Sequence, residues 1–174
     1  MSEKAKGFAG TEISAEQARE GAYLLTRYQT ELSYSWSSGK AISRFLAGLR
    51  EGELWGRRCS RCDRTLVPPR MYCEMCFRPT DDWVKLESRG RVVTYSVSYV
   101  NADATRRKGE EPILIAVIEI GGASPLMGIL HLLGEVEADE VAVGMEVEAV
   151  WKPQGKRQGA ITDIRYFRPS RKVL

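Results

Sequence analysis

Residues 59–76 read C-S-R-C-D-R-T-L-V-P-P-R-M-Y-C-E-M-C, and this stretch decides how the rest of the chain is read. Cys59-x-x-Cys62 and Cys73-x-x-Cys76 are two short turns separated by ten residues. A Cys-x-x-Cys turn aims both sulfurs at one point, and two such turns complete a tetrahedral tetrathiolate site. Soft thiolates in tetrahedral array favour Zn²⁺, while iron of the rubredoxin kind takes the same four ligands, so spacing alone leaves it as the second candidate. With every position filled by protein, no place remains for a catalytic water, which makes the metal structural. Two disulfides are the competing reading of four cysteines. The start MSEKAKGFAGTEISAEQ lacks the apolar stretch of a secretory signal, so disulfides are disfavoured and the cytoplasm is the expected compartment.

Working outward, residues 53–79 hold all four cysteines and three prolines without sustained apolar periodicity. Such a stretch builds almost no core of its own, and a bound metal supplies the folding energy instead. Upstream, Ser14 and Gln17 have capping-box spacing, with Ile13 placed for a hydrophobic staple, and a helix is expected over 15–31. A linker, SYSWSSG (33–39), carries Tyr34 and Trp36. Ile42, Phe45, Leu46 and Leu49 then repeat at i, i+3, i+4 and i+7 before Gly52, which predicts a second helix. Downstream everything reads as strand: 91–100, 113–120, 126–133, 145–151 and 160–167. Five strands in this space suggest a closed or nearly closed small barrel, because an open sheet would leave two unpaired edges. The expected organisation is a disordered start (1–13), two helices with a linker (14–52), a metal ribbon (53–82), a β-barrel (83–169) and a short tail (170–174).

The whole chain has 174 residues, of which 43% are hydrophobic and 28% charged, which fits one domain or two small modules of a globular protein. No apolar run approaches the roughly 20 residues of a membrane span. The formal charge of +3 and a pI of about 8.7 fall short of a committed nucleic-acid domain. A single histidine excludes catalysts that need several. Between residues 40 and 72 there are eight bases and three acids; a Zn(Cys)₄ centre carrying −2 leaves about +3 there, a moderately basic face. Residues 135–148 hold six acids and no base, and residues 152–174 seven bases and one acid. A molecule polarised this way suits electrostatic docking better than tracking a phosphate backbone.

Three features together are similar to one known family: LAGLREGELWG at 46–56, the cysteine motif with Pro68-Pro69-Arg70 between its turns, and Gly144-Met145-x-Val147 before the fourth strand. The chain resembles, over about 41–169, the zinc-ribbon/OB-fold family described as acyl-CoA-associated. The resemblance implies a mainly β fold: two N-terminal helices, a rubredoxin-like zinc ribbon and a five-stranded OB-fold barrel. It also implies an accessory subunit rather than an autonomous enzyme. Members bind thiolases, hydroxymethylglutaryl-CoA synthase-like enzymes, lipid-transfer-protein-like aldolases or enoyl-CoA hydratases, and the partner carries the catalytic residues. Zinc on Cys59, Cys62, Cys73 and Cys76, an acyl-CoA or CoA shared with the partner, and a heterotetramer are what the family leads one to expect here.

The remaining residues are read against that background. Arg106, Arg107 and Lys108 lie in a charged loop and are candidates for CoA phosphate contacts, although a solvated loop tip is the favoured reading. His131 alternates with Leu130 and Leu132 and has no carboxylate partner in sequence, so a structural role is favoured over a general base. Tyr95 and Tyr99, with Trp151 and Phe167, either form a stacking platform or fill the barrel. The helix bearing Ile42, Phe45, Leu46 and Leu49 packs on the ribbon and barrel or docks on a partner, as Tyr34 and Trp36 would. The alternative function is a single-stranded nucleic-acid-binding module, since both ribbons and OB-folds serve that purpose; rubredoxin-like electron transfer comes third.

Overall fold

The computed structural model describes residues 13–21, 33–101, 103–107, 109 and 111–170. They fall into two units divided between Trp36 and Ser37. In the first, α1 (Ala15–Arg19) begins with the expected capping box: the Ser14 hydroxyl accepts from the Gln17 amide, and the Gln17 side chain accepts from the Ser14 amide. The helix stops far short of residue 31, at Arg19, because Gly21 takes a left-handed conformation (φ +71°) two residues later. The rest of the expected helix, from residue 22, lies outside the described residues. Tyr34 and Trp36 are exposed, their rings tilted and 6.4 Å apart.

The second unit starts with α2 (Gly39–Glu51). It ends in a Schellman turn: Gly52 is left-handed at φ +79°, and the Glu53 amide donates to the Gly48 carbonyl. Ala41, Phe45 and Leu49 form its buried stripe, with Ile42 left at the exposed edge. Chain direction then reverses into β1 (Leu54–Cys59), which pairs antiparallel with β2 (Arg64–Leu66) on one side and β3 (Trp83–Leu86) on the other. The sequence pattern does not predict these three strands. Their residues mix charged with apolar, and pairing rather than composition makes them strands.

β4 (Arg89–Ser98), β5 (Ile113–Ile120), β6 (Gly128–Leu132), β7 (Glu146–Trp151) and β8 (Ile164–Pro169) form the second sheet, in the order β6-β5-β4-β7-β8 with all neighbours antiparallel. A parallel bridge from Leu133 to Phe167, with the Gly134 amide donating to the Phe167 carbonyl at 2.9 Å, closes it into the expected barrel. The last strand starts at Ile164 rather than 160, because Ile161–Asp163 is a single 3-10 turn. A bulge at Val93 resets β4, so Val92 points into the core while the alternation expected along the strand is broken.

One apolar cluster runs through all three parts of this unit: Phe45 and Leu49 from α2, Leu54, Val67 and Leu86 from the ribbon, and Val92, Ile118, Ile129, Val147, Ile164 and Phe167 from the barrel. The ribbon therefore does have a core, shared rather than its own. The continuous apolar run of β5 predicts burial on both faces. The strand instead alternates, with Leu114, Ala116, Ile118 and Ile120 buried and Ile113, Ile115 and Val117 half-exposed outside, as a barrel strand must.

Candidate metal centre

The two cysteine turns lie at different places in the ribbon. Cys59 ends β1 and Cys62 lies in the turn to β2; Cys73 and Cys76 lie in the connection from β2 to β3. In each turn the residue after the second cysteine is left-handed, Asp63 at φ 50° and Phe77 at φ 57°. The Phe77 amide donates to the Cys73 carbonyl, and the Cys73 amide to the Arg78 carbonyl, each at 2.9 Å. The Val67–Pro68 peptide between the turns is cis.

All four Sγ atoms lie within 4.8 Å of one another, and Cys59 Sγ is 3.6 Å from Cys76 Sγ. A tetrahedral site with Zn–S of about 2.3 Å has sulfurs about 3.8 Å apart, so the donor set fits a four-coordinate metal without rearrangement. The electrostatics point the same way. Amides of Met75 and Cys76 donating to Cys73 draw its thiol down to about 7, while the neighbouring Cys76 sulfur, burial and the other two cysteines push Cys62 up to about 12. Four sulfurs so close do not all ionise unaided, and a dication resolves the conflict. Cys59 and Cys73 are buried and the other two half-buried, leaving no open coordination position. The centre is structural and of the zinc-ribbon type.

The basic face expected around it is largely engaged within the chain. Arg57 is buried, donates to the Thr80 hydroxyl (2.6 Å) and the Asp81 carbonyl (2.9 Å), and stacks on Trp83. Arg44 from α2 lies between Trp55 and Trp83, 4.4 and 5.0 Å from the ring centroids. Arg58 pairs with Asp63, and Glu74, inside the second cysteine turn, holds Arg64 (3.0 Å) and Arg70 (3.9 Å). This Trp–Arg stack, which locks α2 to the ribbon sheet, joins residues far apart in sequence and leaves no local pattern to read. Facing outward on the same connection, Tyr72, Met75 and Phe77 are exposed.

His131 faces the barrel, its ring edge-on to Phe167 at 5.7 Å, and Leu130 and Leu132 face solvent. Its Nδ1 accepts the Leu132 amide (2.9 Å), which puts the proton on Nε2, 3.3 Å from the Ile161 carbonyl. Burial, opposed by these two contacts, holds the imidazole below its ordinary value. A neutral ring engaged at both nitrogens by backbone is a brace, the role its place in the sequence favours. In the 99–112 loop, Arg107 is turned inward onto the Asn101 side chain (2.8 Å) and the Glu111 carbonyl (2.9 Å); Arg106 is exposed, and Lys108 lies outside the described residues. The aromatics split: Phe167 is fully buried and fills the barrel, Trp151 packs against the core, and Tyr95 and Tyr99 remain exposed. Phe45 and Leu49 are likewise inside this chain's own core, which leaves Ile42 and the half-buried Leu46 of that helix within reach of another molecule. No helix among the described residues is long and apolar enough to cross a membrane.

A closed tetrathiolate ribbon feeding directly into a five-stranded OB barrel defines a zinc-ribbon/OB-fold protein. Two family descriptions match in tandem: the ChsH2 rubredoxin-like zinc ribbon over residues 46–82 and the ChsH2 C-terminal OB-fold over residues 83–152. A DUF35 domain-containing scaffold protein of Methanocaldococcus jannaschii is 32% identical over 119 residues, covering 67% of this chain and 81% of that one. The chain belongs to this ChsH2/DUF35 family. Among solved structures, a DUF35-family protein of unknown function from Sulfolobus solfataricus superposes with a TM-score of 0.53 at 27% identity, over 64% of this chain and 78% of that one. The Ltp2-ChsH2(DUF35) aldolase gives 0.54 at 19% identity, over 78% and 98%, a likeness of fold.

Proposed function

We propose that this chain is an accessory subunit without catalytic groups of its own, which docks on a thiolase-superfamily acyl-CoA enzyme (a thiolase, synthase or aldolase), stabilises it and shapes its acyl-CoA entrance. One observation carries the reading: the four thiols and the sole imidazole are already engaged within the chain. The thiols form one metal cluster, and the imidazole is held by backbone at both nitrogens. What is left is a rigid, metal-pinned platform. Two relatives support the same role here: the Methanocaldococcus protein is named a scaffold, and the Ltp2-ChsH2(DUF35) aldolase couples a ChsH2 chain to an aldolase by name. The partner supplies the nucleophile and base, and the natural assembly is a heterotetramer around a dimeric partner. If the chain touches coenzyme A, Arg106 is the exposed base among the described residues of its loop, with Lys108 two residues on in sequence.

Affinity capture of the tagged chain from its own cells at moderate salt, followed by mass spectrometry and assay of the captured enzyme, tests this. A stoichiometric acyl-CoA enzyme that loses stability or turnover when the chain is withdrawn is the expected result. Full turnover by the isolated chain, or a partner indifferent to it, overturns the proposal.

A further inference from the structure

Where the barrel closes, the backbones of β6 and β8 come together at the Leu133–Phe167 bridge, just past the end of β6. The Leu133 amide donates to Leu114, and the Ile120 amide to the Met127 carbonyl, which fixes the phase of the β5–β6 ladder. Odd-numbered residues of β6 therefore turn their backbone groups to β5, and Gly128, Leu130 and Leu132 turn theirs to the open edge. Among the described residues, the Leu132 amide finds its partner there in His131 Nδ1. The same edge exposes Leu130 and Leu132, 66% and 43% accessible. Its sequence, GILHL, holds none of the charges or prolines that natural edge strands use to repel pairing.

The edge borders a groove of about 630 Å³ lined also by Ile115, Ile161, Thr162, Ile164 and Tyr166, with His131 Nε2 meeting the Ile161 carbonyl at 3.3 Å. Among the described residues, its charged lining consists of Lys152 and Arg165, with no carboxylate. An open backbone edge asks for an extended chain, alternating aliphatic walls ask for apolar side chains, and two cations without an acid in the lining ask for a carboxylate. We infer that the groove between β6 and Ile161–Tyr166 receives an extended, apolar segment bearing an acidic residue from the partner enzyme, added to β6 as a further strand. This rests on the accessory-subunit reading and names the surface through which it would act.

Hydrogen–deuterium exchange of the full chain, alone over a range of concentrations and in complex with its captured enzyme, tests the inference together with two variants. Leu130→Pro removes an amide that points away from β5, so the ladder survives while strand addition does not. Leu130→Lys keeps the amide and replaces the exposed leucine with a charge that matches the cationic rim. Slowed exchange in 128–132 within the complex, with at least tenfold weaker partner binding by both variants at unchanged metal content, is expected. An intact complex whose 128–132 amides exchange as in the free chain overturns the groove while leaving the accessory role standing. Protection that grows with concentration of the chain alone assigns the edge to a second copy and overturns it too. So does an edge that stays unprotected when no acyl-CoA enzyme is captured, and in that case the accessory reading fails with it.

Discussion

Asp163 has no exposed surface, and its carboxylate accepts the amides of Gln158, Gly159 and Ala160 at 2.6 to 3.0 Å. Those donors belong to the loop that lies against α2, where Gly159 approaches the Leu46 carbonyl too closely for an unstrained side chain. Burial alone would raise this carboxyl, but the three amides outweigh it and hold it below the usual carboxylate value. Asp163→Ala strands three donors, and the expected cost is about 3 kcal/mol, or roughly 6–12 °C in Tm for a chain of this size. The depressed value also fixes the sign of the pH effect. The stabilisation is complete above the unfolded carboxylate range and is lost as pH falls through the folded value, so the gap between wild type and Asp163→Ala should narrow on acidification. A constant gap down to pH of about 2 would show that the carboxylate's charge is irrelevant. Phe77 makes the opposite case. An exposed phenylalanine at φ 57° carries backbone strain of roughly 1–2 kcal/mol and little visible burial to offset it. Phe77→Gly should therefore leave the free chain as stable or more so by up to about 1 kcal/mol, read by thermal melting with the metal bound.

The ribbon sheet is the element whose stability depends most on the metal. The ribbon shares the core through Leu54 of β1, Leu86 of β3 and Val67 just after β2, and that same core holds Phe45 and Leu49 of α2. Structural zinc in small ribbons supplies on the order of 10 kcal/mol of folding free energy, which exceeds what three apolar residues contribute. Stripping the metal should therefore release β1–β3, break the Arg44 stack and expose Trp55 and Trp83 to water. The readout is a red shift in tryptophan emission together with a lower and still single melting transition, because the cluster is continuous. Retention of the native emission after chelation, with metal loss verified, would mean the shared core suffices. The same division separates what is legible in the sequence from what is not. The metal ligands and the barrel strands announce themselves locally, through Cys-x-x-Cys spacing and β-branched runs. The third ribbon strand and the Arg44–Trp83 contact depend on partners well over 20 residues away, β1 and β2 pair across a short turn, and the Asp163 nest rests on backbone amides; none of these leaves a periodic signal. The early end of α1 is written in Gly21, but the alanines and leucines around it outweigh one glycine in any count of helical periodicity.

At the scale of the whole molecule, the choice between a protein partner and a nucleic acid turns on where the charges go. Of the bases that make 40–72 look like a phosphate-binding face, Arg44 is sandwiched by two indoles, Arg57 is buried on carbonyls, and Arg58, Arg64 and Arg70 are paired with carboxylates. Further out, Arg91 is bound to Glu119, and Arg168 to Glu135 and Glu148. The barrel face that OB-folds commonly offer to oligonucleotides, formed here by β5 and β6, carries Ile113, Ile115, Val117, Leu130 and Leu132 in place of a stacking row. Neutralising phosphates with these arginines would require breaking internal contacts one by one, which leaves the exposed Lys40, Arg50 and Arg61 of that face and limits the counterion release that could drive binding. Fluorescence anisotropy with a labelled oligothymidylate should accordingly give a Kd weaker than about 100 µM at physiological salt, with a shallow salt slope. A Kd near or below about 1 µM that weakens steeply with salt would mean the pairs open readily. The ribbon and barrel would then be a nucleic-acid module after all, and the aliphatic face of β5 and β6 would need a different occupant.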